Sequence, residues 1–308
     1  MSAVERICVV GAGNMGHQIA LCAAMAGFKV KCTDVSAGIL QRAEQFVETY
    51  LPGRVKKGRL TEEQAKRARA NITFVPTLEI AAAGADLVIE AISEKLSLKR
   101  QVFAELDHCS PPHAILATNS SFIVSSEIAD ATRRPGQVLN MHFFNPALVM
   151  KVVEVVQGPH VADTSAATVI EVAKQMGKTP VLLKREVYGF LVNRILGAIN
   201  REAFWLYERG VASLEDIDLA VVNGLGHPMG PFRLMDLTGI DLAYDIGMER
   251  FRETGDPTDR PPPTVVAKFV KGEFGEKTGR GFYEYPDEKG RASGTCPADG
   301  QTRPSGHG

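Results

Sequence analysis

A chain of 308 residues exceeds the ~100–200 residues of one typical domain, so two domains are expected. Hydrophobic residues make up 44% and charged residues 23%, which fits an ordinary soluble protein with real cores. A formal net charge of -1 gives no global attraction to nucleic acid or anionic membrane, so neither is expected as a partner and any basic site must be local.

The cysteines are Cys8, Cys22, Cys32, Cys109 and Cys296. The number is odd and no Cys-x-x-Cys pair occurs, so neither a disulfide framework nor a zinc site is expected, and no metal. No basic segment followed by an apolar signal run precedes Ile7, and no apolar stretch approaches ~20 residues. The cytoplasm is therefore the default location.

Residues 6–10 (RICVV) suit a buried parallel strand. Next comes GAGNMG at 11–16, then apolar residues at helical spacing from Met15 to Ala26, with Gly27 as the stop. Residues 28–33 read as a second strand that ends in Asp34. Strand, glycine turn, helix, strand, acid is a dinucleotide-binding pattern. Gly11 permits the tight turn, Gly13 lets a pyrophosphate approach the backbone, and Gly16 lets the helix pack close to the strand. Asn14 and Met15 of the same turn are further cofactor-binding candidates, and the helix N-terminus offers free N–H groups to the phosphates. Asp34 suits ribose hydroxyls and repels a 2′-phosphate. No arginine follows it directly, so NAD is favoured over NADP, with FAD as the competing dinucleotide.

Ser36 is a candidate cap for a helix to about residue 58, and 60–70 reads as another. This arm carries Arg54, Lys56, Lys57, Arg59, Lys66, Arg67 and Arg69. It reads either as a solvated face or as a local basic site for a phosphorylated ligand. Residues 86–92 (DLVIEAI) form the next strand, with Glu90 and Glu94 near its carboxyl end and Lys99 on the helix beyond. Glu94 and Lys99 are candidates for the cofactor. Residues 114–118 form a strand that runs into Asn119-Ser120-Ser121, placed either to hold a substrate oxygen or to cap a helix.

Residues 138–154 (VLNMHFFNPALVMKVVE) read as two strands joined through Pro146. Paired as a hairpin, they set His142 opposite Glu154, and a carboxylate beside a histidine makes a tuned general base. A helix over 164–176 and a strand over 179–183 complete a mostly parallel sheet with helices on both faces. From 188 to 209 apolar residues occupy nearly every side of a helix, as for a buried central helix, interrupted by Asn193 and Arg194. Further helices over 214–222, 232–237, 241–254 and 264–271 make the second domain all helical, with apolar faces that point to a homodimer. The expected organisation is a Rossmann-type domain over 1–186 with a helical arm about 50–70, and a helical substrate and dimerisation domain over 187–286. A disordered tail is expected over 287–308.

Taken together, the motifs resemble those of the L-3-hydroxyacyl-CoA dehydrogenase family, and within it the bacterial 3-hydroxybutyryl-CoA dehydrogenases. The resemblance covers roughly residues 4–286. It is carried by GAGNMG at 11–16, EAISEKLSLK at 90–99, TNSS at 118–121 and HFFNPALVMKVVEVV at 142–156. GFLVNR at 189–194, GHPMGPF at 226–232 and KTGRGFYEY at 277–285 continue it. It implies NAD-dependent reversible oxidation of a short-chain (3S)-3-hydroxyacyl-CoA to the 3-ketoacyl-CoA. His142 and Glu154 fall on the catalytic dyad, and Ser120 and Asn193 on residues that contact the substrate oxygen. Asp34, Glu94, Lys99 and Asn145 fall on cofactor positions, and the arm near Lys56 would meet the coenzyme A portion. The pattern usually has proline before the glycine of GFLVNR, where this chain has Tyr188, so the helix entry is less fixed. Two other readings are a sugar-acid dehydrogenase of the L-gulonate type and a non-catalytic NAD-binding structural protein.

Overall fold

A computed structural model describes residues 4–285, so the expected tail over 287–308 lies outside the described residues. The chain divides into two compact units, one up to Arg194 and one from Ile195 onward.

The first unit is built on an eight-stranded sheet in the order β3-β2-β1-β4-β5-β6-β7-β8. The strands are β1 (Arg6–Val10), β2 (Lys29–Thr33), β3 (Ile72–Val75), β4 (Leu87–Glu90), β5 (Ile115–Thr118), β6 (Val138–Phe143), β7 (Val152–Val156) and β8 (Thr179–Leu183). β1 to β6 are parallel, β7 is antiparallel to β6, and β8 runs parallel to β7. Alternating side chains supply two cores. Ile7 and Val9 join Ile19, Leu21, Val47 and Leu139 on one face, while Cys8 and Val10 join Phe103, Leu106 and Leu116 on the other. Both faces are covered by helices, which is why these strands read as continuous apolar runs.

Helix α1 (Gly16–Met25) follows the glycine turn and stops before Gly27, whose φ of +104° ends it cleanly. The basic arm is α2 (Ala37–Lys56) and α3 (Glu62–Asn71). Ser36 accepts from the Ile39 N–H, and Thr61 and Gln64 form a reciprocal capping box. Helix α4 (Leu78–Ala82) and helix α5 (Leu96–Cys109) flank β4 in sequence, a short α6 (Ser126–Ala129) precedes β6, and α7 (Asp163–Gln175) precedes β8.

The second unit contains α8 (Val192–Glu208) from Ile195 onward, α9 (Leu214–Leu225), α10 (Pro231–Thr238), α11 (Ile240–Thr254) and α12 (Pro263–Val270). Its core gathers Phe204, Ile217, Phe232, Met235, Ile240 and Val265. Two buried carboxylates bind the carboxyl-terminal segment. Asp218 accepts from the Tyr283 hydroxyl, and Asp236 accepts from the Phe282 and Tyr283 N–H groups and the Tyr285 hydroxyl. Two details differ from expectation. Isolated β-bridges join Gly275, Arg280 and Glu284, so the unit is not purely helical. Helix α8 is not buried all round: Ala203 and Phe204 are buried, whereas Ile195 is 54% and Trp205 46% exposed. Its apolar residues outnumber the positions that this core covers.

Candidate active site

The β6–β7 hairpin sets the centre. Its register pairs His142 with Glu154, as the two apolar runs around Pro146 predict. Both side chains are buried, at 3% and 0% exposure, and His142 Nδ1 lies 2.8 Å from Glu154 Oε2. The second oxygen of Glu154 accepts the N–H groups of Leu191 (3.0 Å) and Val192 (2.8 Å), at the start of α8. A buried carboxylate therefore has three donors, so its desolvation is offset by fixed hydrogen bonds. The imidazole packs against the rings of Phe144 and Phe190, with centroids at 4.5 and 5.5 Å.

The other imidazole nitrogen faces a serine. Ser121, not Ser120, places its Oγ 3.1 Å from His142 Nε2. Ser120 is buried at 2%, donates its hydroxyl to Glu94 and accepts the Ile123 N–H. Just before this turn, at the end of β5, Thr118 directs its hydroxyl to Glu90.

Below Ser120 lies an ionic group that the sequence showed only as scattered charges. Lys99 is 1% exposed, and its ammonium lies 2.8 and 3.0 Å from the two oxygens of Glu90 and 3.3 Å from Glu94 Oε2. The Lys99 side chain thus faces carboxylates in the interior. Glu90 itself is fully buried and also accepts from Thr118 and the Ile92 N–H. An acid inside an apolar strand needs such partners, which is the signal that could have marked Glu90. Glu94 accepts the Ser121 and Phe122 N–H groups at 3.0 and 3.1 Å and so shapes the turn that carries Ser121. Burial alone would push the Glu94 carboxyl up, but Lys99, the Ser120 hydroxyl and the Phe122 N–H together hold it below the usual value.

The dinucleotide elements meet at the carboxyl ends of β1 and β2. Gly11 has φ +93° and donates its N–H to the Thr33 carbonyl at 2.8 Å. A Cβ on Gly16 would fall 1.7 Å from the Gly11 carbonyl oxygen, so only glycine lets α1 sit this close to the turn. A Cβ on Gly13 would meet nothing within 4 Å, so its backbone faces open space. Asp34 holds the Ala12 and Ser36 N–H groups, each at 2.9 Å, and is half-buried at the rim. Asn14 donates to the Asn145 side chain at 3.3 Å, which ties the glycine turn to the hairpin loop. Close turn, open backbone and rim acid fit an adenine dinucleotide with a free ribose 2′-hydroxyl.

Two further expected residues lie on helices. Lys56 is exposed at the end of α2, on a groove of ≈ 480 Å³ with Val47, Leu51, Val55, Lys66 and Arg69. Asn193 is half-buried in the first turn of α8, its Cβ close to Gly189. At the entry to that helix, Tyr188 packs its ring on Phe122 with centroids 5.1 Å apart. Sequence reasoning also passed over Phe190. It is fully buried and has φ +49°, a conformation that costs an L residue roughly 1–2 kcal/mol. Among the described residues no set of three or more His, Cys, Asp or Glu side chains is placed to hold a metal, and no helix is long and apolar enough to cross a membrane.

Comparisons with known proteins agree in one direction. Residues 6–187 match the family model for the 3-hydroxyacyl-CoA dehydrogenase NAD binding domain, and residues 189–285 match that for its C-terminal domain. The chain is 41% identical to a probable 3-hydroxybutyryl-CoA dehydrogenase of Bacillus subtilis, over 92% of this chain and 99% of that protein. It is 38% identical to a 3-hydroxybutyryl-CoA dehydrogenase of Mycobacterium tuberculosis, over 92% and 99%. The crystal structure of (S)-3-hydroxybutyryl-CoA dehydrogenase from Ralstonia eutropha superposes with a TM-score of 0.85 at 36% identity, covering 92% of this chain and 99% of that one.

Proposed function

The chain belongs to the 3-hydroxyacyl-CoA dehydrogenase family of NAD-dependent oxidoreductases, and on that premise we propose that its substrate is a short-chain (3S)-3-hydroxyacyl-CoA. The reaction is the reversible oxidation of 3-hydroxybutyryl-CoA to acetoacetyl-CoA, with His142 and Glu154 as the acid–base dyad. The names of the relatives support the chain length, and one observation carries the chemistry: the 2.8 Å contact from His142 Nδ1 to Glu154 Oε2 beside Ser121.

Glu154 takes the Nδ1 proton as a hydrogen bond, which leaves a lone pair on Nε2. Nε2 removes the proton of the substrate hydroxyl, whose oxygen sits near the Ser121 hydroxyl. NAD, when bound, accepts the hydride that leaves the carbinol carbon. The imidazolium formed is balanced by a carboxylate already fixed by Leu191 and Val192, so little reorganisation accompanies the charge. Asn193 is the second group for the oxygen, and in reduction His142 returns the proton. Gly11, Gly13, Asn14, Met15 and Gly16 hold the pyrophosphate, Asp34 the adenosine ribose, and Asn145 the nicotinamide side of the cofactor. Glu94 is a further cofactor contact in this reading, with Lys99 acting through Glu94 from the interior.

Lys56 on the arm takes the coenzyme A portion. We read residues 1–186 as the NAD-binding domain and 187–286 as a substrate and dimerisation domain. The exposed apolar residues Ile195, Trp205, Leu219 and Leu242 support a homodimer. A cytoplasmic location belongs to the same reading, supported by the free thiols Cys8, Cys22, Cys32 and Cys109. The test is steady-state NADH consumption with 3-ketoacyl-CoA esters of rising length. Acetoacetyl-CoA should give the highest kcat/KM, and His142→Ala should lose most turnover while NADH still binds. Equal or better turnover on long-chain esters overturns the chain-length assignment, and a fully active His142→Ala overturns the dyad.

A further inference from the structure

Between β8 and α8 the chain makes one turn that brings two consecutive N–H groups onto a single oxygen of Glu154. Gly189 (φ +73°) and Phe190 (φ +49°) are both left-handed there, and among the described residues Phe190 is the one non-glycine with positive φ. Glycine adopts that conformation freely, but a bulky aromatic residue does not. A strained residue persists where its surroundings over-determine it. Here the determinants are visible: the Phe190 N–H bonds the Val187 carbonyl at 3.1 Å, and its ring is fully buried against the imidazole of His142.

We propose that Phe190 is a positioning residue for the dyad, with two separable parts. Its left-handed backbone aims the Leu191 and Val192 N–H groups at Glu154. Its ring packs on the imidazole, as that of Phe144 also does, and keeps water from the proton-transfer path. Glycine would serve the backbone and lose the ring, whereas any smaller L residue would keep the strain and lose the ring. This assignment rests on the dyad reading given above.

The experiment is a cycle of Phe190→Gly, His142→Ala and the double variant, with Phe190→Ala and Phe190→Leu as controls. Phe190→Gly should lower kcat by about 10- to 100-fold, the scale of a small misplacement at a reacting centre. KM for acetoacetyl-CoA and NADH affinity should stay within about twofold, with a changed pH profile of kcat. Phe190→Leu should recover part of kcat, and Phe190→Ala should melt below Phe190→Gly because alanine keeps the strained φ. In the His142→Ala background, Phe190→Gly should have no further effect on residual turnover. Full activity of Phe190→Gly overturns the proposal, as does an equal loss in both backgrounds. If Phe190→Gly does not fold, the same comparison is made with Phe190→Leu, and unchanged kcat there overturns the proposal. Near-normal turnover of His142→Ala removes the dyad itself, a result distinct from any failure at Phe190.

Discussion

Replacing Glu154 by glutamine keeps the volume of the side chain and removes only its charge and one acceptor. The carboxylate has Nδ1 of His142 on Oε2 and the Leu191 and Val192 N–H groups on Oε1. A glutamine must choose between them. With its amide oxygen toward His142, its NH2 faces two N–H donors and leaves both without an acceptor, at roughly 1–3 kcal/mol each. With its oxygen toward Leu191 and Val192, its NH2 faces Nδ1, which must then accept. The second arrangement wins by several times thermal energy. The ring proton moves to Nε2, the nitrogen that must be bare for the substrate hydroxyl. The variant should therefore fold normally, bind NADH and lose the general base. A positioned acid–base group supplies ~10²–10⁴-fold, so kcat should fall at least ~100-fold, equal to ~2.7 kcal/mol of barrier. The assay is the initial rate of NADH loss with acetoacetyl-CoA across pH, alongside thermal melting. A Glu154→Gln enzyme within about threefold of wild type, with the same pH profile, would refute the tautomer argument.

Ser121→Ala should reduce kcat/KM by ~10- to 100-fold without weakening NADH binding, as expected for one lost hydrogen-bond donor at a reacting oxygen. If Ser120→Ala produces the larger kinetic defect, Ser120 rather than Ser121 serves the reacting oxygen. Lys99→Met leaves Glu90 buried without its counter-charge and should lower unfolding stability in urea by about 3 kcal/mol, the low end for a broken buried pair because Thr118 and Ile92 still bond Glu90. A loss under about 1 kcal/mol would mean that Glu90 takes up a proton or water instead. Gly16→Ala places a methyl against the Gly11 carbonyl, a backbone atom with no freedom to yield, so the variant should lose NADH binding or fail to fold. Unchanged NADH affinity in calorimetry would contradict that packing. Asp107 is buried with Arg133 and Arg134 on its oxygens at 2.7 Å each. Burial pushes its carboxyl up, but these guanidiniums outweigh it and hold the group below its ordinary value. Its contribution is thus complete above the unfolded value of about 3.9 and is lost as pH falls through the folded value. Asp107→Asn should flatten that acid limb in urea titrations, and an unaltered limb would assign it to other carboxylates.

What the sequence disclosed was whatever repeats with a short period or sits within one turn. The glycine turn, its helix and Asp34 were legible because each step has a local cause in backbone space or strand alternation. His142 opposite Glu154 was legible because a hairpin has a period of two and a fixed register. The contact of Ser121 with His142 was not legible, because β5 ends at Thr118 and the turn beyond it has no fixed period. The pairing of Lys99 with Glu90 was not legible because nothing local reveals that the two meet in the interior across 9 positions of chain. Residues 72–82 went unread, since β3 and α4 are four and five residues long at one side of the sheet. Helix α8 looked buried because apolar periodicity reports which side chains avoid water, and it does not report what covers them.

The two N–H groups that hold Glu154 belong to residues 191 and 192, while the two family models meet between residues 187 and 189. The border at which homologous sequence segments are divided therefore runs through one hydrogen-bond network. A recombinant chain ending at 187 would carry the glycine turn, His142 and Glu154, and would still lack two of the three donors on that carboxylate. Chimeras spliced at that border would join a base from one parent to the anchor of its carboxylate from another. A splice placed after Arg194, where the compact unit ends, keeps both in one parent.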